Sequence, residues 1–257
     1  MDRTCVVTGA ASGIGAATAR HLREIGVRVI ACDLHEADIA ADLATSEGRA
    51  ALIDGVTRLS GGEIDAIIAN AGGGPPQTCL QLNFFGAVAT LEGLRPLLAS
   101  SPAPRAVMVS SIAALRPPDA GLVEACLAMD EPGAVARARD GSGAGHELAL
   151  YANAKHALNG WCRRVAVEPR WAGAGVALNA VALGFFDTPA AAYILSDEGL
   201  RVEAGKMVPM RGAFPGDPDQ AAAVLAWCVS AENSMMTGQV IFVDGGAECL
   251  ARGGRVQ

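Results

Sequence analysis

The sequence is short of the groups that hold metals, disulfides, nucleic acids and membranes. Its four histidines, His21, His35, His146 and His156, show no metal-ligand spacing with each other or with cysteine, which argues against a structural zinc. Seven cysteines lie scattered in apolar segments, with no CxxC pair and an odd total. That pattern predicts reduced, mostly buried thiols rather than a disulfide framework. Lys and Arg total 20 against 27 Asp and Glu, and they form no stripe, so the net charge of −7 disfavours nucleic acid or an anionic membrane as partner. No apolar run is long enough to cross a bilayer. The opening MDRTCVVTGA reaches a glycine after a few apolar residues, as a strand entering a turn does and a secretion signal does not. The expectation is a soluble, cytoplasmic protein with no metal. Aromatics are scarce as well, at 4%, and only two of them are tyrosines.

What remains is an apolar chain of 257 residues, 51% hydrophobic, enough for one sizeable core and hence one expected domain over 1–257. Short apolar β-rich runs alternate with helix-compatible stretches. Thr4 to Thr8 reads as a strand, Gly13 to Ile25 as a helix, and Val27 to Cys32 as a second strand. Ile64 to Ala69, Ala106 to Ser110, Val176 to Ala182 and Gln239 to Val243 read as later strands. Apolar strands separated by helices predict an α/β fold with a mostly parallel sheet covered on both faces, of the doubly wound Rossmann type. Two long connections, 116–150 and 188–218, depart from minimal alternation and are expected to be functional loops or lids.

Gly9, Ser12, Gly13, Ile14 and Gly15 lie in TGAASGIG, directly after the first strand and at the opening of the first helix. Glycines there make a tight turn and let the backbone approach a pyrophosphate, whose charge suits the free N–H groups of the helix start. Asp33 ends the second strand, where a carboxylate can accept from ribose hydroxyls and repel a 2′-phosphate. Its neighbour Leu34 adds no positive charge, so NAD is expected rather than NADP; the alternative is an Asp that caps the next turn. Asp42 and Leu43 could border an adenine, or Asp42 could simply cap a helix. Asn70, Ala71 and Gly72 end a strand at the edge where a ligand would lie, although Asn70 could instead bridge strands.

Tyr151 and Lys155, in YANAK, stand at i and i+4 and share a helix face. An ammonium beside a phenol favours phenolate and lowers its pKa from about 10 towards working pH. Ser110 and Ser111 close another strand, and Asn83 is a polar residue among apolar ones on a helix.

Asn83, Ser111, Tyr151 and Lys155 together resemble the catalytic tetrad of the short-chain dehydrogenase/reductase family. TGAASGIG, the NAG at 70–72, and the phrases Thr237-Gly238-Gln239 and Val243-Asp244-Gly245-Gly246 match it in the same order. The resemblance covers nearly the whole chain. It implies a seven-stranded sheet, with Tyr151 as general acid/base and Lys155 holding the nicotinamide ribose. Ser111 would then bond the substrate oxygen, Asn83 anchor a water relay, and Thr188 hold the carboxamide. It also implies a homodimer or homotetramer. Ser111 and Tyr151 lie forty positions apart, so 116–150 reads as an insertion. With the phrase from Asp42 to Arg49, this makes the chain similar to the bacterial 3α-hydroxysteroid dehydrogenase/carbonyl reductase subgroup, implying an apolar secondary alcohol or ketone as substrate. Phe185 and Phe186 either narrow the substrate pocket or pack in the core. A ketoacyl-type reductase and a catalytically silent NAD-sensing protein are the competing readings.

Overall fold

A computed structural model of the chain describes residues 3–139 and 145–253, so 140–144 of the long connection expected at 116–150 lie outside the described residues. Seven strands form one sheet: β1 (Thr4–Thr8), β2 (Arg28–Asp33), β3 (Ile39–Ala40), β4 (Ala66–Ala69), β5 (Arg105–Ser111), β6 (Ala177–Leu183) and β7 (Val240–Val243). Their order is β3-β2-β1-β4-β5-β6-β7, and every pair is parallel. The strands form because Val, Ile, Ala and Leu fill them on both faces, which only a sheet covered on both sides can bury. Six of the strands lie where the apolar runs place them. The seventh, β3, is a two-residue edge strand too short to carry a pattern.

Helices α1 (Gly13–Glu24) and α2 (Ser46–Ser60) follow β1 and β3, and α3 (Ala87–Leu94) follows β4. After β5 come α4 (Ala120–Leu127), α5 (Glu131–Arg139) and α6 (His146–Val165). After β6 come α7 (Ala192–Leu195), α8 (Glu198–Lys206) and α9 (Pro218–Cys228), and α10 (Ala247–Arg252) follows β7. One core lies between the sheet and α2, α3 and α6, with Leu122, Cys126 and Ala134 of α4 and α5 joined to it. The other lies between the sheet and α1 and α9.

Because all strands run the same way, their carboxyl ends share one edge. The chain winds outward in one direction through β1, β2 and β3 and in the other from β4 onward, so the topological switch lies between β1 and β4. Ligands of open parallel sheets bind outside the carboxyl ends at such a switch.

Candidate active site

The turn after β1 is closed by backbone contact. A Cβ on Gly15 would fall 1.8 Å from the Gly9 carbonyl oxygen and 2.5 Å from the Asn70 amide nitrogen, so only glycine fits. Ser12 begins α1 without a side-chain cap, which leaves the first N–H groups of a twelve-residue helix free to meet an anion. The Asp33 carboxylate, at the end of β2, is aimed by two backbone donors, Ala11 N–H at 2.8 Å and Leu34 N–H at 2.7 Å. It enters no ion pair among the described residues. Glycine cradle, free helix start and unpaired acid make a donor and acceptor set that fits a dinucleotide.

The rest of this edge is held by side chains bonded to backbone. Asn70 Nδ2 donates to the carbonyls of Thr8 at 3.0 Å and Gly9 at 3.2 Å, so its amide bridges β4 to β1, the structural alternative raised by the sequence. The Thr8 hydroxyl accepts from Asn70 N–H and Ala71 N–H. Thr8 is a positioning residue that the sequence did not single out, although its place one residue before Gly9 was the available signal. Asp42 accepts from Ala44 N–H at 2.9 Å and shapes the turn before α2, whereas the Leu43 side chain is buried in the core. Thr188 sits over the start of α1, within 3.3 Å of where a Gly13 Cβ would be.

The tetrad residues converge from three elements. A π-helical turn, Gln81–Gly86, carries Asn83 fully buried. Its Oδ1 accepts from Gly73 N–H at 3.0 Å, and its Nδ2 donates to the carbonyls of Gly73 at 2.9 Å and Cys79 at 2.8 Å. The Asn83 amide is thus occupied in fixing the turn after Gly72. Ser111 ends β5 and accepts from Ala113 N–H, which starts a short 3₁₀ turn. Tyr151 and Lys155 share a face of α6, with Lys155 Nζ 5.5 Å from the centre of the tyrosine ring. Lys155 is 2% exposed and donates to the Val109 carbonyl at 2.8 Å, one residue pair down β5 from Ser111.

Electrostatics here run against the simple two-residue expectation. Burial pushes the Tyr151 phenol up to about 12, and the Ser111 hydroxyl beside it offsets part of that rise. Burial likewise lowers Lys155 to about 8, with Cys79 pulling the other way. Desolvation is the largest cause of both shifts, because each group loses water on burial.

Phe186 is 7% exposed and packs in the α1 and α9 core, where a Cβ on Gly216 would touch its ring at 2.9 Å. Of the two readings the sequence left open for Phe186, this is the core one; the residue lies beyond the end of β6 and bridges to Gly216. Phe185 instead meets Phe214 edge-on at 5.9 Å. Asn153, also missed, accepts from Asp119 N–H at 2.8 Å and ties α6 to the start of α4.

Residues 3–123 match a family model described as short chain dehydrogenase, and residues 130–248 one described as Enoyl-(Acyl carrier protein) reductase. The chain is 34% identical over 254 residues to a 3-alpha-hydroxysteroid dehydrogenase/carbonyl reductase of Comamonas testosteroni, covering 96% of this chain and 97% of the relative. The structure superposes on the 3-alpha-hydroxysteroid dehydrogenase of Pseudomonas sp. B-0831 complexed with NADH, with TM-score 0.89 and 35% identity, covering 98% and 100% of the two chains. It also superposes on the Pseudomonas aeruginosa RhlG/NADP active-site complex, with TM-score 0.74 and 26% identity, covering 95% and 96%.

Proposed function

Because the chain belongs to the short-chain dehydrogenase/reductase family, we propose that it is an NAD-dependent oxidoreductase interconverting an apolar secondary alcohol and its ketone. Steroid, terpenoid and aryl carbinol types are the substrate classes. The observation that carries this reading is the convergence of Tyr151 and Lys155 of α6 on Ser111 and Val109 of β5, at the sheet edge beside the glycine cradle.

A bound nicotinamide cofactor supplies the hydride donor or acceptor. The chain's own residues supply position and proton. Gly9, Ser12, Gly13, Ile14 and Gly15 would hold the pyrophosphate, Asp33 and Leu34 the adenosine ribose, and Ala71 and Gly72 the backbone flank. The Tyr151 hydroxyl gives its proton to the oxygen of a ketone, and the neutral phenol favoured by burial is the form that can do so. In the reverse direction it must accept the alcohol proton as phenolate, which a charged Lys155 5.5 Å away favours. Ser111 hydrogen-bonds the same substrate oxygen as charge changes on it. Asn83 acts through Gly73, holding the 70–73 turn in place. Thr188 and the 188–218 segment would border the nicotinamide end, and the apolar Phe185, Phe214 and exposed Tyr193 offer a surface for a ring system.

NAD is preferred in this reading because the unpaired Asp33 carboxylate opposes a 2′-phosphate, as the named NADH complex of the Pseudomonas sp. relative supports. Nicotinamide absorbance, followed with NAD or NADP and a panel of apolar secondary alcohols including steroids, tests both points. Tyr151→Phe is expected to lower turnover by roughly 10²–10⁴-fold. NADH binding, followed by fluorescence, is expected to persist in that variant. Turnover that survives the substitution would remove Tyr151 from the proton transfer.

A further inference from the structure

The guanidinium of Arg49 lies at the join of three elements, none of which it covalently belongs to beyond its own helix α2. Its Nε donates to the Leu43 carbonyl at 2.9 Å. Nη2 donates to the Gln81 carbonyl at 2.9 Å, at the start of the π-helical turn that carries Asn83, and more weakly to the Ala44 carbonyl at 3.4 Å. The remaining edge meets Glu131, the first residue of α5, through Nη1–Oε2 at 2.7 Å and Nη2–Oε1 at 3.0 Å.

This arrangement follows from close backbone packing. A Cβ on Gly86 would stand 2.7 Å from the Leu43 carbonyl oxygen, so the 42–44 turn lies directly against the π-helical turn. Their carbonyls converge there and need a donor that serves several acceptors in one plane. A guanidinium fork does this and a lysine ammonium does not. Glu131 takes the fork bidentate, which fixes its plane and neutralises a charge whose side chain is only 13% exposed.

We propose that Arg49 and Glu131 are positioning residues for cofactor binding. They tie the turn bearing Asp42 and Leu43, at the adenosine end of the site, to the turn bearing Asn83 and to α5. On this view the segment after β5 is a strut for the dinucleotide site rather than an appendage. The inference rests on the cofactor reading given above.

Coupling of this kind is reciprocal: if α5 steadies the adenosine end, occupation of that end steadies α5. The test uses the intact wild-type chain, Glu131→Gln and Arg49→Lys. NADH binding is followed by fluorescence and ADP-ribose binding by calorimetry, with amide hydrogen exchange read over residues 42–48 and 131–139. The Kd for ADP-ribose is expected to rise roughly three- to ten-fold in both variants. The cofactor KM should rise by more than kcat falls. Exchange in 42–48 should speed up in the unliganded variants, and ADP-ribose should slow exchange in 131–139 of the wild type but not of Glu131→Gln. Glu131 sits near the surface, so its substitution keeps the test alive even if Arg49→Lys folds poorly. Variants that bind ADP-ribose like the wild type, or a wild type whose 131–139 exchange ignores the ligand, would overturn this inference alone. A wild type that binds neither nucleotide would overturn the cofactor reading with it.

Discussion

At the scale of single residues, the spacing of Tyr151 and Lys155 was legible in the sequence but the net direction in which burial shifts each group was not. Spacing fixes which face two side chains share; how much water each loses depends on elements far away in sequence. Lys155 illustrates the consequence. Its ammonium titrates near 8 in the fold against 10.5 in a solvated chain, so at neutral pH folding must bury a charge bonded to one carbonyl. Below about 8 both states are protonated and the penalty is fully present; as pH rises towards 10.5 the folded protein alone is neutral, and the penalty fades. Lys155→Met is therefore expected to abolish turnover while leaving the fold as stable as wild type or about 1–2 kcal/mol more stable at pH 7. Denaturant titrations should show this advantage shrinking as pH is raised from 8 to 10. An advantage that widened instead would contradict the assignment. Asp33 yields a second test, since its oxygens carry both the ribose contacts and the repulsion of a phosphate. Asp33→Ser should cut kcat/KM with NAD by about ten-fold and bring the NADP value closer to it. An unchanged NAD to NADP ratio would leave Asp33 as the turn-capping residue that the sequence also allowed.

At the scale of elements, the legible parts are those whose burial is uniform. Strands β1, β4, β5 and β6 are apolar on both faces and announce themselves, whereas β3 has two residues and no period to read. The π-helical turn at Gln81–Gly86 was hidden for another reason: Asn83 within it bonds back to Gly73, ten residues away, a contact that no local propensity encodes. Phe185 and Phe186 were ambiguous because adjacent aromatic residues at a strand end face opposite ways. Helix α9 offers a test of local chemistry. Asp217 caps it, accepting from Asp219 N–H, while Gln220 reaches back to the Asp217 N–H. Its buried residues Ala221 and Leu225 pack in the same core as Ala19 and Leu22 of α1. Asp217→Ala should cost about 1 kcal/mol, read as a fall in Tm of roughly 2–4 °C. A shift within error would mean that packing alone holds the helix start.

At the scale of the whole molecule, parallel order gathers Gly9, Asp33, Asn70, Ser111 and Thr188 on one edge although they span most of the chain, so the order of motifs was enough to bring the candidate residues to one edge. Assembly is a separate matter. If 116–150 is an insertion ahead of Tyr151, it changes the surface available to the homodimer or homotetramer that the resemblance implies. Light scattering on the wild type and on a chain lacking 118–143 should then report different masses; equal masses would remove that idea. Six of the seven cysteines are buried and only Cys249 is exposed. Burial also holds Cys5, Cys32, Cys126 and Cys162 near 12, so these thiols are shielded both sterically and by protonation. A disulfide-exchange dye added to the native protein should therefore colour for one equivalent at once and for the others only as the chain opens. Since Cys5 belongs to β1, Cys126 to α4 and Cys228 to α9, mass spectrometry of the adducts turns the chain's own sulfur into a set of dated markers for which part of the molecule breathes first.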